Sequence, residues 1–300
     1  LTEERVVMST DIKEYRLKVR GKVRDVYDLG EELLFVSSDR ISAFDVVMPN
    51  GIPGKGKVLT AMSLFWFDLL KDVIAHHLVT ADIDKYPQPL QKYRDSLEGR
   101  SMIVTKADRI DCECIVRGYL SGSMWKELQE ARKKGVYVVH GFELSPDLRE
   151  SERLPRTIFT PSTKNDRGHD ENISYDELVR TIGKEQARRC RDASLTVYEK
   201  AAAYALTKGI IIADTKFEFG YKGDRFMLID EVLSPDSSRF WPVDQYEVGR
   251  GQPSFDKQPI RDYLAGLDWD RTPPAPRLPD EVVAATSRRY REAQRLLTGS

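Results

Sequence analysis

Four apolar residues in a row, Ile210-Ile211-Ile212-Ala213, run straight into the alternating segment Asp214-Thr215-Lys216-Phe217-Glu218-Phe219. Apolar on both faces, the first part reads as a strand covered by two layers. Alternate residues of a strand share a face, so Asp214, Lys216 and Glu218 line one side of the second part. The chain must therefore build a covered sheet with a central strand that emerges from the interior carrying acid, base and acid. A coiled coil or a disordered chain has no place for such a strand.

A second strand is expected over 226–232, after the spacer Tyr221-Lys222-Gly223-Asp224-Arg225. A three-residue loop pairs 221 with 225 or 222 with 226, and either register puts Asp230 on the polar face beside Glu218. A two-residue Gly223-Asp224 turn gives the opposite parity. The odd-length loop is expected, because a cation site demands both carboxylates. Glu218 and Asp230 would suit Mg²⁺, which is usually held by one or two carboxylates plus phosphate oxygens and water. The competing reading is a solvated sheet face with cross-strand ion pairs, each contributing about 0.2 to 1 kcal/mol.

Three hundred residues suggest two lobes. A net charge of −1 gives no bulk attraction to nucleic acid or an anionic membrane. Three cysteines, Cys112, Cys114 and Cys190, fit a reducing cytoplasm. No apolar run approaches the roughly 20 residues needed to span a bilayer, and the first residues lack the layout of a signal peptide. Strands are expected at 23–29, 33–37, 44–48, 101–107 and 112–117. Helices are expected at 58–75, 123–134, 175–208 (Ser174 as N-cap) and 282–297. The Pro-containing stretch 141–170 reads as a long functional loop.

Other motifs carry weaker signals. Gly21 permits close backbone approach, and Lys22 and Arg24 alternate on one strand face where they could straddle phosphates. Residues 51–57 match the G-x-x-x-x-G-K spacing, but Val58 stands where the Mg²⁺-binding hydroxyl should be. Cys112 and Cys114 lack the further ligands of a zinc site. His76 and His77 are placed in the last turn of the 58–75 helix, and His169 is notable only for its charged company.

Five segments together resemble the SAICAR synthetase family of purine biosynthesis: Gly21-Lys22-Val23-Arg24-Asp25-Val26-Tyr27, Ser38-Asp39-Arg40-Ile41-Ser42-Ala43-Phe44-Asp45, Val116-Arg117-Gly118-Tyr119-Leu120-Ser121-Gly122-Ser123, Lys216-Phe217-Glu218-Phe219-Gly220, and the run from Asp230 through Ser234-Pro235-Asp236-Ser237-Ser238 to Arg239. The resemblance implies an α+β fold of two lobes with an ATP-grasp-like nucleotide cleft between them. Residues 1–112 would form a β-rich lobe contributing the phosphate-binding strand, and 113–300 an α+β lobe with the substrate and metal residues. The reaction implied joins L-aspartate to carboxyaminoimidazole ribonucleotide with consumption of ATP, through an acyl phosphate.

By the same resemblance, Gly21, Lys22 and Arg24 lie along the triphosphate, Lys106 and Glu113 face the adenine, and Glu218 with Asp230 holds Mg²⁺. Arg117, Ser123 and Arg239 hold the ribonucleotide, with Asp39, Arg40 and Ser42 also at substrate. Asp214 and Lys216 lie by the reacting carboxylate. The chain is longer than the compact members of the family, which points to the monomeric type. A small-molecule kinase with a similar cleft and a silent nucleotide-binding regulator are the alternatives.

Overall fold

The computed structural model of the protein describes residues 5–164 and 171–299. The N-terminal half builds an antiparallel sheet from β1 (Arg16–Arg20), β2 (Arg24–Asp28), β3 (Glu32–Ser37), β6 (Leu78–Thr80) and β7 (Ser101–Thr105), in the order β1-β2-β3-β7-β6. Between β3 and β6 come a small hairpin, β4 (Ser42–Ala43) and β5 (Val46–Val47), and helix α1 (Lys55–Leu70). A short α2 (Arg94–Leu97) precedes β7.

The second sheet has the path β12-β9-β14-β15, made of β9 (Cys112–Tyr119), β12 (Arg153–Phe159), β14 (Ile210–Lys222) and β15 (Arg225–Ile229). The short β8 (Asp108–Arg109) and β16 (Ser238–Pro242) also pair with β14, and β13 (Ser162–Thr163) pairs with β9. Helix α3 (Gly122–Lys133) follows β9 and leads into a hairpin, β10 (Val138–Val139) and β11 (Phe142–Glu143). Helices α4 (Tyr175–Ile182) and α5 (Lys184–Thr207) precede β14, and α6 (Gln258–Ala265) and α7 (Asp280–Thr298) end the chain.

β14 is the central strand that its apolar run demands. Ile210, Ile211, Ile212 and Ala213 are all buried, and one hydrophobic core packs α1, α5 and α7 together with β14 residues. Close packing sets specific residues here. A Cβ on Gly118 would lie 2.2 Å from the Tyr198 hydroxyl, which itself donates to the Ile212 carbonyl at 2.6 Å.

Several sequence expectations need correction. Residues 44–48 are not one strand: Phe44 and Asp45 both take positive φ and form the turn between β4 and β5. The first helix begins at Lys55 and stops at Leu70, so His76 and His77 lie beyond it, where His76 bridges to Leu228. The glycines of the P-loop lookalike serve packing. A Cβ on Gly56 would meet the Ser37 carbonyl at 2.1 Å, and its N–H donates to Asp39.

The stretch 141–170 is partly strand, because Arg153–Phe159 runs along β9 with a register break that accommodates Pro155. His169 and the rest of 165–170 lie outside the described residues. The helix expected over 175–208 is divided at Gly183 (φ 86°). Ser174 and Glu177 close a capping box at its start, satisfying two backbone donors reciprocally.

The C-terminal helix is tied into the interior by Tyr290. Fully buried, its hydroxyl donates at 2.6 Å to Asp236, which also pairs with the buried ammonium of Lys55 at 2.6 Å. Removing that hydroxyl leaves a buried carboxylate short of one donor. Tyr290→Phe is therefore expected to lower unfolding stability in urea by about 1.5 to 3 kcal/mol. A loss under about 0.5 kcal/mol would show that the bond contributes little.

His77 sits between the two sheets, buried against Phe35 and Phe67, with Nε2 unpartnered. Burial pushes its pKa from 6.5 down to about 3. As pH falls below 6.5 the unfolded chain takes up a proton that the folded one refuses. This group therefore costs stability at about 1.4 kcal/mol per pH unit between pH 6.5 and 3. His77→Gln should flatten the acid side of the stability profile by close to one proton between about pH 6 and pH 4.5. An unchanged slope would contradict the neutral buried imidazole.

Candidate active site

A row of alternating charges crosses the polar face of β14. At one end the Asp214 carboxylate accepts from Arg117 on β9 at 2.9 Å and from Arg239 on β16. Next, Lys216 pairs with Glu113 at 3.1 Å, and Glu113 also accepts from Lys164 at 3.1 Å. Lys164 then reaches Glu218 at 2.8 Å. The row ends at Asp230, which is bonded to Arg24 from the other sheet. Residues separated by up to 206 positions thus form one strip.

Glu218 and Asp230 reach each other by an unexpected route. The hairpin has the two-residue Gly223-Asp224 turn, with Lys222 opposite Arg225 and Glu218 opposite Ile229, so the odd-loop expectation is wrong. Gly223 takes the positive φ, 57°, that such a tight turn favours. By pleat alone Asp230 would face away. The ladder ends at Ile229, however, and Asp230 adopts φ 66°, turning the chain so that its carboxylate meets Arg24 and feels Glu218.

The electrostatics mark this end as short of positive charge. Burial and then the Asp230 carboxylate push Glu218 up to about 7, against the pull of Lys164. Burial opposes ionisation of Asp230 too, but Arg24 and Lys164 outweigh it and hold that group low. Glu231 beside it is raised by burial, and its Oε2 has no hydrogen-bond partner. A cation brought to Glu218 and Asp230 would relieve this. No group of three or more His, Cys, Asp or Glu able to hold a metal occurs among the described residues, so any ion there must draw further oxygens from a ligand.

The opposite end has the features of an anion site. Helix α3 starts at Gly122, its N-cap Ser121 makes no side-chain cap bond, and the buried Ser121 hydroxyl is unpartnered. Arg117 reaches Ser123 at 3.3 Å. A Cβ on Gly122 would strike the Arg239 guanidinium at 2.3 Å, so glycine lets that fork lie against the helix start. Free helix N–H groups beside two guanidinia suit a phosphate.

Other candidates sit elsewhere or do structural work. Asp39 is fully buried, its oxygens taken by Val7, Gly56 and Arg100. Arg40 donates to the Gly21 carbonyl at 2.9 Å and to Asp25 at 2.8 Å, shaping the glycine turn from below, and Ser42 is buried in β4. Lys22, half exposed, pairs with Asp45. Lys106 bonds Asp28 and the Gly30 carbonyl, apart from the lysines that engage Glu113. The sequence reading gives no role to Lys164, Glu231 or Lys55, because each meets a partner distant in sequence, nor to Ser121, whose buried hydroxyl has no partner.

A family model described as SAICAR synthetase matches residues 17–276. The chain belongs to the SAICAR synthetase family. A phosphoribosylaminoimidazole-succinocarboxamide synthase of Thermodesulfovibrio yellowstonii is 53% identical over 293 residues, covering 98% of this chain and 99% of that protein. That of Syntrophotalea carbinolica is 55% identical over 295 residues, covering 98% of both. Among solved structures, the Saccharomyces cerevisiae SAICAR synthase complexed with SAICAR superposes with a TM-score of 0.89 at 43% identity, covering 98% of each chain. A SAICAR synthetase in complex with ADP gives 0.69 at 26% identity, covering 94% of this chain and 97% of that one. The protein is thus an α+β enzyme of purine biosynthesis, an ATP-dependent ligase of the SAICAR synthetase family.

Proposed function

We propose that the charged row on β14 is the reaction path of this ligase, with the ribonucleotide at the Arg117 end and the ATP phosphates at the Arg24 end. The observation that carries the reading is that one strip joins an anion site at a helix start to an undercompensated carboxylate pair. Arg117, Ser123 and Arg239, with the free amides of α3 and the Ser121 hydroxyl, would hold the sugar phosphate. Gly21, Lys22 and Arg24 would follow the triphosphate, and Glu218 and Asp230 would hold Mg²⁺. When bound, the metal supplies charge neutralisation for the transferring phosphoryl group. The adenine would lie towards Lys106 and Glu113, an assignment that rests on the family resemblance.

The chemistry assigns work to the middle of the strip. A carboxylate is a poor acyl donor until phosphorylated, and positioning with charge stabilisation is then most of what an enzyme must supply. The Lys216 ammonium, exposed at the surface of the row, would meet the negative charge shared by the substrate carboxylate and the incoming phosphoryl group. Glu113 holds that ammonium in place, and Asp214 holds the two guanidinia. The amine of L-aspartate then displaces phosphate from the acyl phosphate. All three free cysteines are buried, and no helix among the described residues is long and apolar enough to cross a membrane. A monomer in the cytoplasm is the proposed form.

Phosphate release in the presence of ATP, Mg²⁺ and the ribonucleotide should depend on added L-aspartate. A small-molecule kinase would form ADP at the same rate without it, and aspartate-independent turnover would overturn the ligase reading.

A further inference from the structure

A cavity of about 620 Å³ opens where β14 begins and β16 ends, lined by residues from that sheet end and from α7. Gly209 on its wall lies five residues before Asp214 and nine before Glu218. At about 3.3 Å per residue the cavity is roughly 16 Å from the Arg117–Asp214–Arg239 cluster and roughly 30 Å from the metal end. It is therefore separate from the reaction path.

Its walls carry Lys208, Arg288 and Arg289 together with Asp244 and Glu292. Among the described residues, no carboxylate pairs with those three cations and no cation pairs with those two carboxylates. Lys208 lies over the Tyr204 ring, and Arg289 donates to the Ser254 carbonyl. By contrast, Arg188 on α5 is held by Glu185 and Asp192. Cations and carboxylates spread round one cavity without meeting are arranged for a ligand with both acceptors and donors. Its volume falls within the roughly 300–1,000 Å³ usual for small-molecule sites and is too large for a lone phosphate.

We propose that this cavity binds a phosphorylated nucleoside, its phosphate on Lys208, Arg288 and Arg289 and its hydroxyl or amino donors on Asp244 and Glu292. Guanidinium forks suit phosphate oxygens, and Pro242 and Phe255 offer apolar surface to a base. The site also has a short mechanical link to the ribonucleotide end. Ser254 and Phe255, both on the cavity wall, each donate to the Phe240 carbonyl, at 3.0 and 2.9 Å, and Phe240 follows Arg239. Occupancy would be felt at the guanidinium that Asp214 holds.

The test is calorimetric titration of the whole protein with adenosine 5′-monophosphate, the nucleotide cleft being saturated beforehand with a non-hydrolysable ATP analogue and Mg²⁺. Wild type should bind one more molecule per chain than the Lys208→Glu/Arg288→Glu variant, whose residual affinity should be at least about tenfold weaker. Adenosine should show no comparable binding. Because these exposed residues lie outside the reaction path, the variant should keep wild-type kcat and KM without the monophosphate. Equal stoichiometry in the two proteins, or adenosine binding as tightly as its monophosphate, would overturn the site. Loss of basal turnover in a folded variant would place these residues in the ligase machinery and also overturn it.

Discussion

Turnover is expected to fall by at least about 100-fold in Glu218→Gln and in Asp230→Asn, each of which removes one negative charge from the proposed metal pair. The fold should survive. Glu218 already strains against burial and the neighbouring Asp230, and neutralising it removes that repulsion while leaving an oxygen for Lys164. Asp230→Asn costs more, because Arg24 loses its charged partner and keeps only the more distant Glu231. Steady-state rates over a Mg²⁺ series, with melting temperatures as control, separate the effects. Near wild-type kcat at ordinary Mg²⁺ in the Glu218→Gln variant would remove Glu218 from the metal assignment.

Arg117→Ala and Arg239→Ala should weaken the ribonucleotide far more than ATP. Each guanidinium makes charge-assisted contacts of a kind worth about 1.5 to 3 kcal/mol, so ribonucleotide affinity should drop roughly 10- to 150-fold. Arg117 should show the larger stability cost as well. It is almost wholly buried and holds Thr160, Ser123 and Asp214 at once, whereas Arg239 is partly open. Either loss leaves Asp214 with one guanidinium in place of two. Calorimetry with each ligand alone reads the split, and equal loss of both affinities would contradict a ribonucleotide site at this end.

Much of this is legible in the sequence because it depends on short-range pattern. The buried run of β14, the alternation of Asp214, Lys216 and Glu218 and the cap at Ser174 follow from periodicity and local chemistry. The hairpin parity escapes that reading for a physical reason. Pattern places Asp230 on the ladder, whereas one left-handed residue past the ladder's end re-aims the carboxylate. Nor can spacing reveal that Lys164 bridges Glu113 and Glu218, or that Lys55 pairs with Asp236, 181 residues away. Asp39 and Arg40 sit in a motif that reads as substrate-facing, yet their side chains hold the N-terminal segment, α1 and the glycine turn together. Burial of that kind is decided by the whole fold.

The bond from Tyr290 to Asp236 gives the enzyme a temporal order. Every residue proposed for the reaction path is synthesised before Tyr290, which follows Asp236 by 54 positions. At about 5–20 residues per second, synthesis takes roughly 3 to 11 seconds to cover that gap. During that interval Asp236 can be met by Lys55 and Lys257 but lacks the Tyr290 hydroxyl. The residues of the reaction path are thus all in the chain before the last donor to the carboxylate beneath them has been made.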